Sequence, residues 1–495
     1  MRPAPMPSIA FTASAPTEIR GHDRSTTTLD ARDRALIGAW LVCAVIAVAL
    51  PYPPTKVLVG ILLGAVYVHA SFASFHLALS GFVLLLPFLE TAYKGSILFP
   101  GINLQTLFVL YISGVAASHA GRDRLDPARN PVALPLACLV ALTVSSALLV
   151  GATSNADLSD LLMRIKNSFA YALLMVFGFW LVRKPNQKLM VLTCVFIAVI
   201  VNVVFSLRDV SVTQALQLSV MRHRAVSLIS AQPNLYAGFL SLYLFFFAAF
   251  LMYYPAGRKV KILVLAATVL VTMNLVYTLS RGAWLACGGA AVFVAGLKSR
   301  RLAVPMAALA VFLYFWMPDV ATERWDKAFE QGYDPALIAE AEGTEMDEAA
   351  TRVVQWRSFL SMMGEHPVLG AGYGEFPRFF KEGGYYPVAK SAHSSIVEIG
   401  VELGPFGLVF YLWILGAAYR GGSRVFKTAD LPVERVLGLG LLAATVCLFL
   451  LDFSGTRFRN GNITAYYWIL AGITLNAALA GEGTRQPIRL WLGRQ

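Results

Sequence analysis

The chain has 495 residues, 57% of them hydrophobic and only 14% charged, with a mean hydropathy of +0.62. A soluble domain carries about a quarter charged residues, and the apolar residues here fall in blocks long enough to cross a bilayer, so a soluble multidomain protein is excluded. The net charge of +12 sits in short segments between those blocks, the pattern of basic loops that stay in the cytoplasm; no nucleic-acid-binding motif accompanies it.

In chain order, residues 1–34 are polar, rich in Pro, Ser and Thr, and read as a disordered cytoplasmic tail and not as a cleaved signal. Residues 35–318 hold apolar blocks near 35–51, 54–70, 73–90, 102–119, 132–151, 161–182, 188–206, 235–254, 262–279, 283–297 and 303–318. Residues 319–393 form one long polar segment, residues 394–480 add blocks near 395–418, 434–452 and 463–480, and 481–495 is a short tail. The expected fold is an all-α polytopic membrane protein with about 12–14 transmembrane helices, because the connections at Pro51–Pro54 and Ser71–Ser74 are very short.

Loop charge sets the orientation. The segments 121–131, 183–188, 257–261, 298–301 and 419–428 are all basic. With the N-terminus inside, fourteen spans put all five in the cytoplasm together with Arg485, Arg489 and Arg494 of the tail. Both termini are then cytoplasmic, and 319–393 is one large extracytoplasmic loop with 13 acidic and 7 basic residues. A long segment of this kind with aromatic and glycine-rich stretches is expected to carry function.

The five cysteines, Cys43, Cys138, Cys194, Cys287 and Cys447, lie inside apolar blocks without a CxxC pair, which speaks against a disulfide scaffold or a zinc site. The histidines show no metal-ligand spacing, and no Walker loop or GxSxG elbow is present. Neither a metal nor a cofactor is expected.

The informative charges break the loop rule. Arg222 and Arg224, Arg281, and Arg457 with Arg459 fall at the extracytoplasmic ends of spans. Arg281 sits between two apolar runs with almost no loop, where a charge is retained for a partner or ligand; snorkelling to lipid headgroups is the alternative. The arginine fork matches phosphate oxygens, so an anionic ligand at this membrane face, such as a lipid pyrophosphate, is expected. His393 opens the helix after the large loop, with Ser391 or Ser394 available as cap. A histidine there suits a general base, since a helix N-terminus favours the neutral ring; a capping or packing histidine is the alternative. Glu398 and Glu402 share one helical face. They are open to two readings, as ligands of the histidine or of sugar hydroxyls, and as structural partners of buried arginines.

Four segments in order resemble the O-antigen ligase superfamily of ligases, Wzy-type polymerases and protein O-oligosaccharyltransferases. They are Arg224-Ala225-Val226-Ser227 with Gln232-Pro233-Asn234; Ser280-Arg281-Gly282; Arg352 through Trp356 and Arg357 to Pro367-Val368-Leu369-Gly370-Ala371-Gly372; and the stretch from His393 to Glu402. Ser394 stands where the family usually has Asn. The resemblance covers roughly 224–410 and implies a GT-C-like, metal-independent membrane glycosyltransferase. Its donor would be an undecaprenyl-pyrophosphate-linked glycan. Its acceptor would be a hydroxyl of another lipid-linked repeat unit or of lipid A–core. His393, Arg281 and Arg224 would be catalytic, and Arg222, Asn234, Arg352, Trp356, Arg357, Glu398, Glu402, Arg457 and Arg459 would bind substrate. The expected location is the bacterial inner membrane with the site facing the periplasm. The rival reading is a polytopic transporter of small anions or solutes, which would place ionisable residues and broken helices at mid-membrane.

Overall fold

The computed structural model describes residues 64–92, 104–120, 129–209 apart from Asn155, 232–298, 362–375 and 393–480, with isolated positions at 31, 34, 35, 38, 228 and 230. The expected spans 35–51 and 303–318, most of 54–70, most of the 319–393 segment and both tails lie outside the described residues.

All regular structure among the described residues is helical. A helical stretch over 64–73 leads into α1 (Phe75–Ala92), followed by α2 (Leu104–Ala120), α3 (Ala133–Thr153), α4 (Leu158–Phe169), α5 (Ala172–Leu181) and α6 (Pro185–Asp209). Then come α7 (Pro233–Tyr253), α8 (Arg258–Tyr277), α9 (Arg281–Lys298), α10 (Ser395–Thr428), α11 (Pro432–Leu451) and α12 (Gly461–Ala480). Among the described residues, seven helical segments, α4 and α5 counted as one, are long and apolar enough to cross a bilayer. The chain is an all-α, multi-pass membrane protein.

Several expectations change, and the basic segment 257–261 lies, from Arg258 on, in the first turn of α8. The block 161–182 is two helices, α4 and α5, broken at Ala170–Tyr171. The break sits where Gly461, the first residue of α12, presses in: a Cβ there would lie 2.6 Å from both the Asn167 carbonyl and the Tyr171 ring. The basic segment 419–428 is not a loop but the end of α10, whose part after the break at Gly404 reaches about 35 Å at 1.5 Å per residue, beyond a hydrocarbon core of about 30 Å. Lys188 is not a loop charge either. It lies in the first turn of α6, 1% exposed, with its Nζ donating to Glu434 of α11 at 2.6 Å.

The core is built on α7, α11 and α12, where Tyr236, Phe239, Tyr243, Phe246, Tyr466, Tyr467 and Trp468 are fully buried. With no water in the bilayer, buried hydroxyls must find partners inside the protein. The Tyr243 hydroxyl donates to the Ile463 carbonyl at 2.7 Å and accepts from the Tyr467 amide at 2.9 Å. It thus sits across the rung that joins residues four apart in α12. The Tyr466 hydroxyl donates to the Val83 carbonyl of α1 at 2.9 Å.

Helix α10 meets α11 through backbone. A Cβ on Gly438 would lie 2.5 Å from the Phe426 amide nitrogen, and one on Gly422 would lie 2.9 Å from the Leu442 nitrogen. Small residues at such crossings allow the dispersion contact that replaces the hydrophobic drive in lipid. Two effects therefore oppose each other on substitution by alanine. Helix propensity favours Ala over Gly by about 1 kcal/mol, while overpacking against backbone costs about 1–3 kcal/mol. Gly438→Ala is expected to lower the thermal midpoint in detergent, whereas Gly288→Ala in α9, where nothing lies within 4 Å, is expected to hold or raise it; equal midpoints for the two would show that the crossing tolerates separation.

Candidate active site

Several turns meet at one end of the bundle, and a buried carboxylate joins them. Asp452 follows the last residue of α11 and is fully buried. Its Oδ1 accepts from the Ser395 hydroxyl at 2.5 Å and from the amides of Arg457 at 3.0 Å and Phe458 at 2.9 Å, and its Oδ2 accepts from the Tyr411 hydroxyl at 2.8 Å. The Asp452 carbonyl accepts from the Ser394 hydroxyl at 2.8 Å, and the Gly455 carbonyl accepts from the Ser395 amide at 3.3 Å. The start of α10 is thereby fastened to the turn 452–459. Burial pushes the Asp452 carboxyl up to about 6, against the pull of its four donors.

His393 immediately precedes this fastening. Its side chain is exposed and its backbone is left-handed, with φ of 51°. Ser394, the N-cap of α10, also accepts from the Val397 amide at 3.4 Å. The Ser394 hydroxyl therefore bonds both the first turn of α10 and the Asp452 carbonyl.

Arg281, half-buried, opens α9. The residue two before it, Leu279, has φ of 53°. Leu279 and His393 are the two non-glycine residues with left-handed backbone among the described residues, a conformation costing about 1–2 kcal/mol each. A Cβ on Gly282 would collide with the Ser454 side chain, which accounts for glycine after Arg281. The Arg281 turn thus abuts the same 452–455 turn that anchors the His393 segment.

Arg457 is buried, its Nε 2.9 Å from where Gly238 of α7 would carry a Cβ. Asn234 lies in the first turn of the same helix, which Pro233 opens at a position where a missing N–H costs nothing. The Arg459 guanidinium lies 2.6 Å from Glu402 and 3.5 Å from Glu398, and 4.8 Å from the centre of the Tyr373 ring. Burial works against its charge, but Glu402 and its other neighbours hold its pKa above the ordinary value.

The structure therefore brings His393, Arg281, Asn234, Glu398, Glu402, Arg457 and Arg459 to one end of the bundle, while Arg222, Arg224, Arg352, Trp356 and Arg357 lie outside the described residues. Among the described residues no group of three His, Cys, Asp or Glu side chains is placed to hold a metal ion. Sequence reasoning missed Asp452. The available signal was its isolation as the sole acidic residue between Glu434 and Glu482, at the end of an apolar run.

Asn at 452 can still accept from three donors with its oxygen and can donate to Tyr411, so Asp452→Asn is expected to fold. Asp452→Ala leaves buried donors unmet and is expected to lose about 3 kcal/mol or more. The pH dependence separates charge from shape. The folded carboxyl titrates at about 6 against an ordinary 3.8, so the folded state holds the proton more tightly. Wild-type stability should fall as pH rises between those values and level off above them. Asp452→Asn should lack that slope; thermal midpoints in detergent across the range check this, and parallel curves would refute it.

Residues 266–412 match the family model described as O-antigen ligase. No curated protein matches the chain closely enough to count as a relative. The matched stretch runs from α8 through the Arg281 turn and the His393 segment into α10, and it stops before Asp452. The chain is a multi-pass membrane protein, and its residues 266–412 are similar to the O-antigen ligase family.

Proposed function

We propose that this protein is a metal-independent glycosyltransferase of the ligase and polymerase type, moving a glycan from undecaprenyl pyrophosphate to an acceptor hydroxyl at the extracytoplasmic face of the bacterial inner membrane. His393 takes the proton from the acceptor hydroxyl as that oxygen attacks the anomeric carbon. The bond from that carbon to the pyrophosphate oxygen breaks, and the undecaprenyl pyrophosphate leaves with the electron pair. Arg281 and Arg224 stabilise the growing negative charge on the leaving group. The acceptor is a second lipid-linked repeat unit or lipid A–core, and the number of spans expected from the sequence favours the former.

The single observation that supports this reading is the shared turn: the Arg281 and His393 segments, 112 residues apart by number, both pack on residues 452–455. An arginine and a histidine at one end of the bundle suit transfer from an anionic lipid carrier. The transporter reading draws less support. At the break in α10, Gly404–Pro405, the bared carbonyls of Val401 and Glu402 are filled by amides of Ala371 and Gly372, so they are not presented to a solute.

The test is the surface glycan of a deletion strain carrying wild type, His393→Ala or Arg281→Ala. Wild type should restore the glycan. His393→Ala should reduce turnover by about 10²–10⁴-fold, and Arg281→Ala should reduce it at least as far at equal protein level. Normal glycan from either variant would remove that residue from the chemistry. Orientation is checked separately with a cysteine at Val368, which is 57% exposed. It should react with a membrane-impermeant maleimide in cells with a permeable outer membrane, and reaction only after lysis would place this end in the cytoplasm.

A further inference from the structure

Helix α10 is broken nine residues after it begins. Gly404 takes φ 64° and ψ −164°, and Pro405 has no N–H to offer. The carbonyl of Val401, four residues before Pro405, loses its helical donor, and the turn at Gly404 withdraws the donor of Glu402 as well. Bared carbonyls are costly in a membrane protein and must be met by other groups. The loop ahead of α10 meets them: the Ala371 amide donates to Val401 O at 2.6 Å and the Gly372 amide to Glu402 O at 3.2 Å.

The approach is too close for side chains. A Cβ on Gly370 would lie 2.5 Å from Val401 O, and one on Gly404 would lie 2.6 Å from Val368 O. Gly370, Gly372 and Gly374 all have positive φ, at 74°, 107° and 80°. The glycine-rich element is therefore a docking strip for the break. A third amide, that of Gly374, donates to the Glu402 carboxylate at 3.0 Å. The other oxygen of that carboxylate holds Arg459 at 2.6 Å, and the Arg459 guanidinium lies over the ring of Tyr373, a residue buried and anchored to Ser146 of α3 through its amide at 2.9 Å.

We infer that Glu402 and Arg459 form a clasp that locks the end of the large loop onto the break in α10, and that Arg459 is a positioning residue and not a ligand of the carrier pyrophosphate. Arg459 touches all three parts at once: the loop through Tyr373, α10 through Glu402 and Glu398, and the 452–459 turn from which it springs. Its charge faces two carboxylates that would otherwise repel each other on one helical face. An arriving phosphate would have to displace a bonded carboxylate from it. The clasp itself is independent of the proposed transfer reaction; its consequence for ligand binding rests on that reading.

Two measurements on the full chain in nanodiscs test this. Hydrogen exchange should be slow over 370–375 in wild type. It should speed by about tenfold or more in Glu402→Ala and Arg459→Ala, which each remove a charge-assisted bond. It should change less in Glu402→Gln, which keeps an acceptor for Gly374, and not at all in Arg281→Ala. Binding of undecaprenyl pyrophosphate should stay within about threefold of wild type in Arg459→Ala but weaken about tenfold or more in Arg281→Ala. In cells, Glu402→Gln should support glycan formation where Glu402→Ala does not. If Arg459→Ala is not recovered folded, Arg459→Lys carries the same test, since a point charge cannot bridge two carboxylates and cover a ring. Unchanged exchange with weakened binding in the Arg459 variant would overturn the clasp and make Arg459 a ligand. If wild type binds no undecaprenyl pyrophosphate, the carrier reading fails, and the exchange data alone decide the clasp.

Discussion

A carboxylate with no exposure to solvent, that of Asp452, is the interaction on which this end of the molecule depends. Its four donors come from the first turn of α10, from Tyr411 four turns further along that helix, and from its own turn. A helix bundle leaves its connecting turns free to drift, because lipid offers no hydrophobic force to press them together. A single acceptor that gathers donors from two elements removes that freedom. Burial disfavours the charge, and the donors oppose that effect without cancelling it. The balance is sharp, because each donor that lost Asp452 would itself become a buried unmet group.

The same need to satisfy polar groups recurs along the bundle in other forms. At the end opposite Asp452 the fully buried Lys188 meets Glu434, joining α6 to α11. In the interior the Tyr243 hydroxyl answers both a carbonyl and an amide of α12. At the break in α10, backbone answers backbone. Glycine is what lets these partners come close enough, at Gly422 and Gly438 within the bundle and at Gly370 and Gly404 at its end. Among the described residues the buried ion pairs thus lie at the two ends of the bundle, with apolar packing between them.

The spans were legible because hydropathy is a local property, and most expected blocks among the described residues coincide with helices to within a few residues. The meeting of the Arg281 and His393 segments was foreshadowed by the order of the motifs and the side of the membrane that loop charge assigns them. What could not be read depended on partners far away in sequence. Nothing near Lys188 announces Glu434, so it was counted with its basic neighbours. The break between α4 and α5 lies against Gly461, roughly three hundred residues later. Glu398 and Glu402 stayed ambiguous because a carboxylate pair on a helix face looks the same whether it faces a sugar or an arginine; the structure sets Arg459 against both. Asp452 was hidden by being single, since motif reasoning works on spacing and one residue has none.

The strained residues tie these features to chemistry. His393 and Leu279 are held in a left-handed backbone that neither side chain prefers, each just ahead of a helix that begins at the Asp452 turn. Strain of this kind persists only where surrounding contacts over-determine it, and here those contacts are the carboxylate hub and the Gly282–Ser454 approach. In the proposed transfer the negative charge on the leaving pyrophosphate grows within one step. A donor that had to move to meet it would contribute less than one already fixed. A turn locked by buried hydrogen bonds on one side and by backbone contact on the other supplies that fixity. On the proposed reading the arginines divide the work: Arg459, paired with two carboxylates, would make the frame rigid, and the half-buried Arg281 on the strained turn would be the one that frame aims.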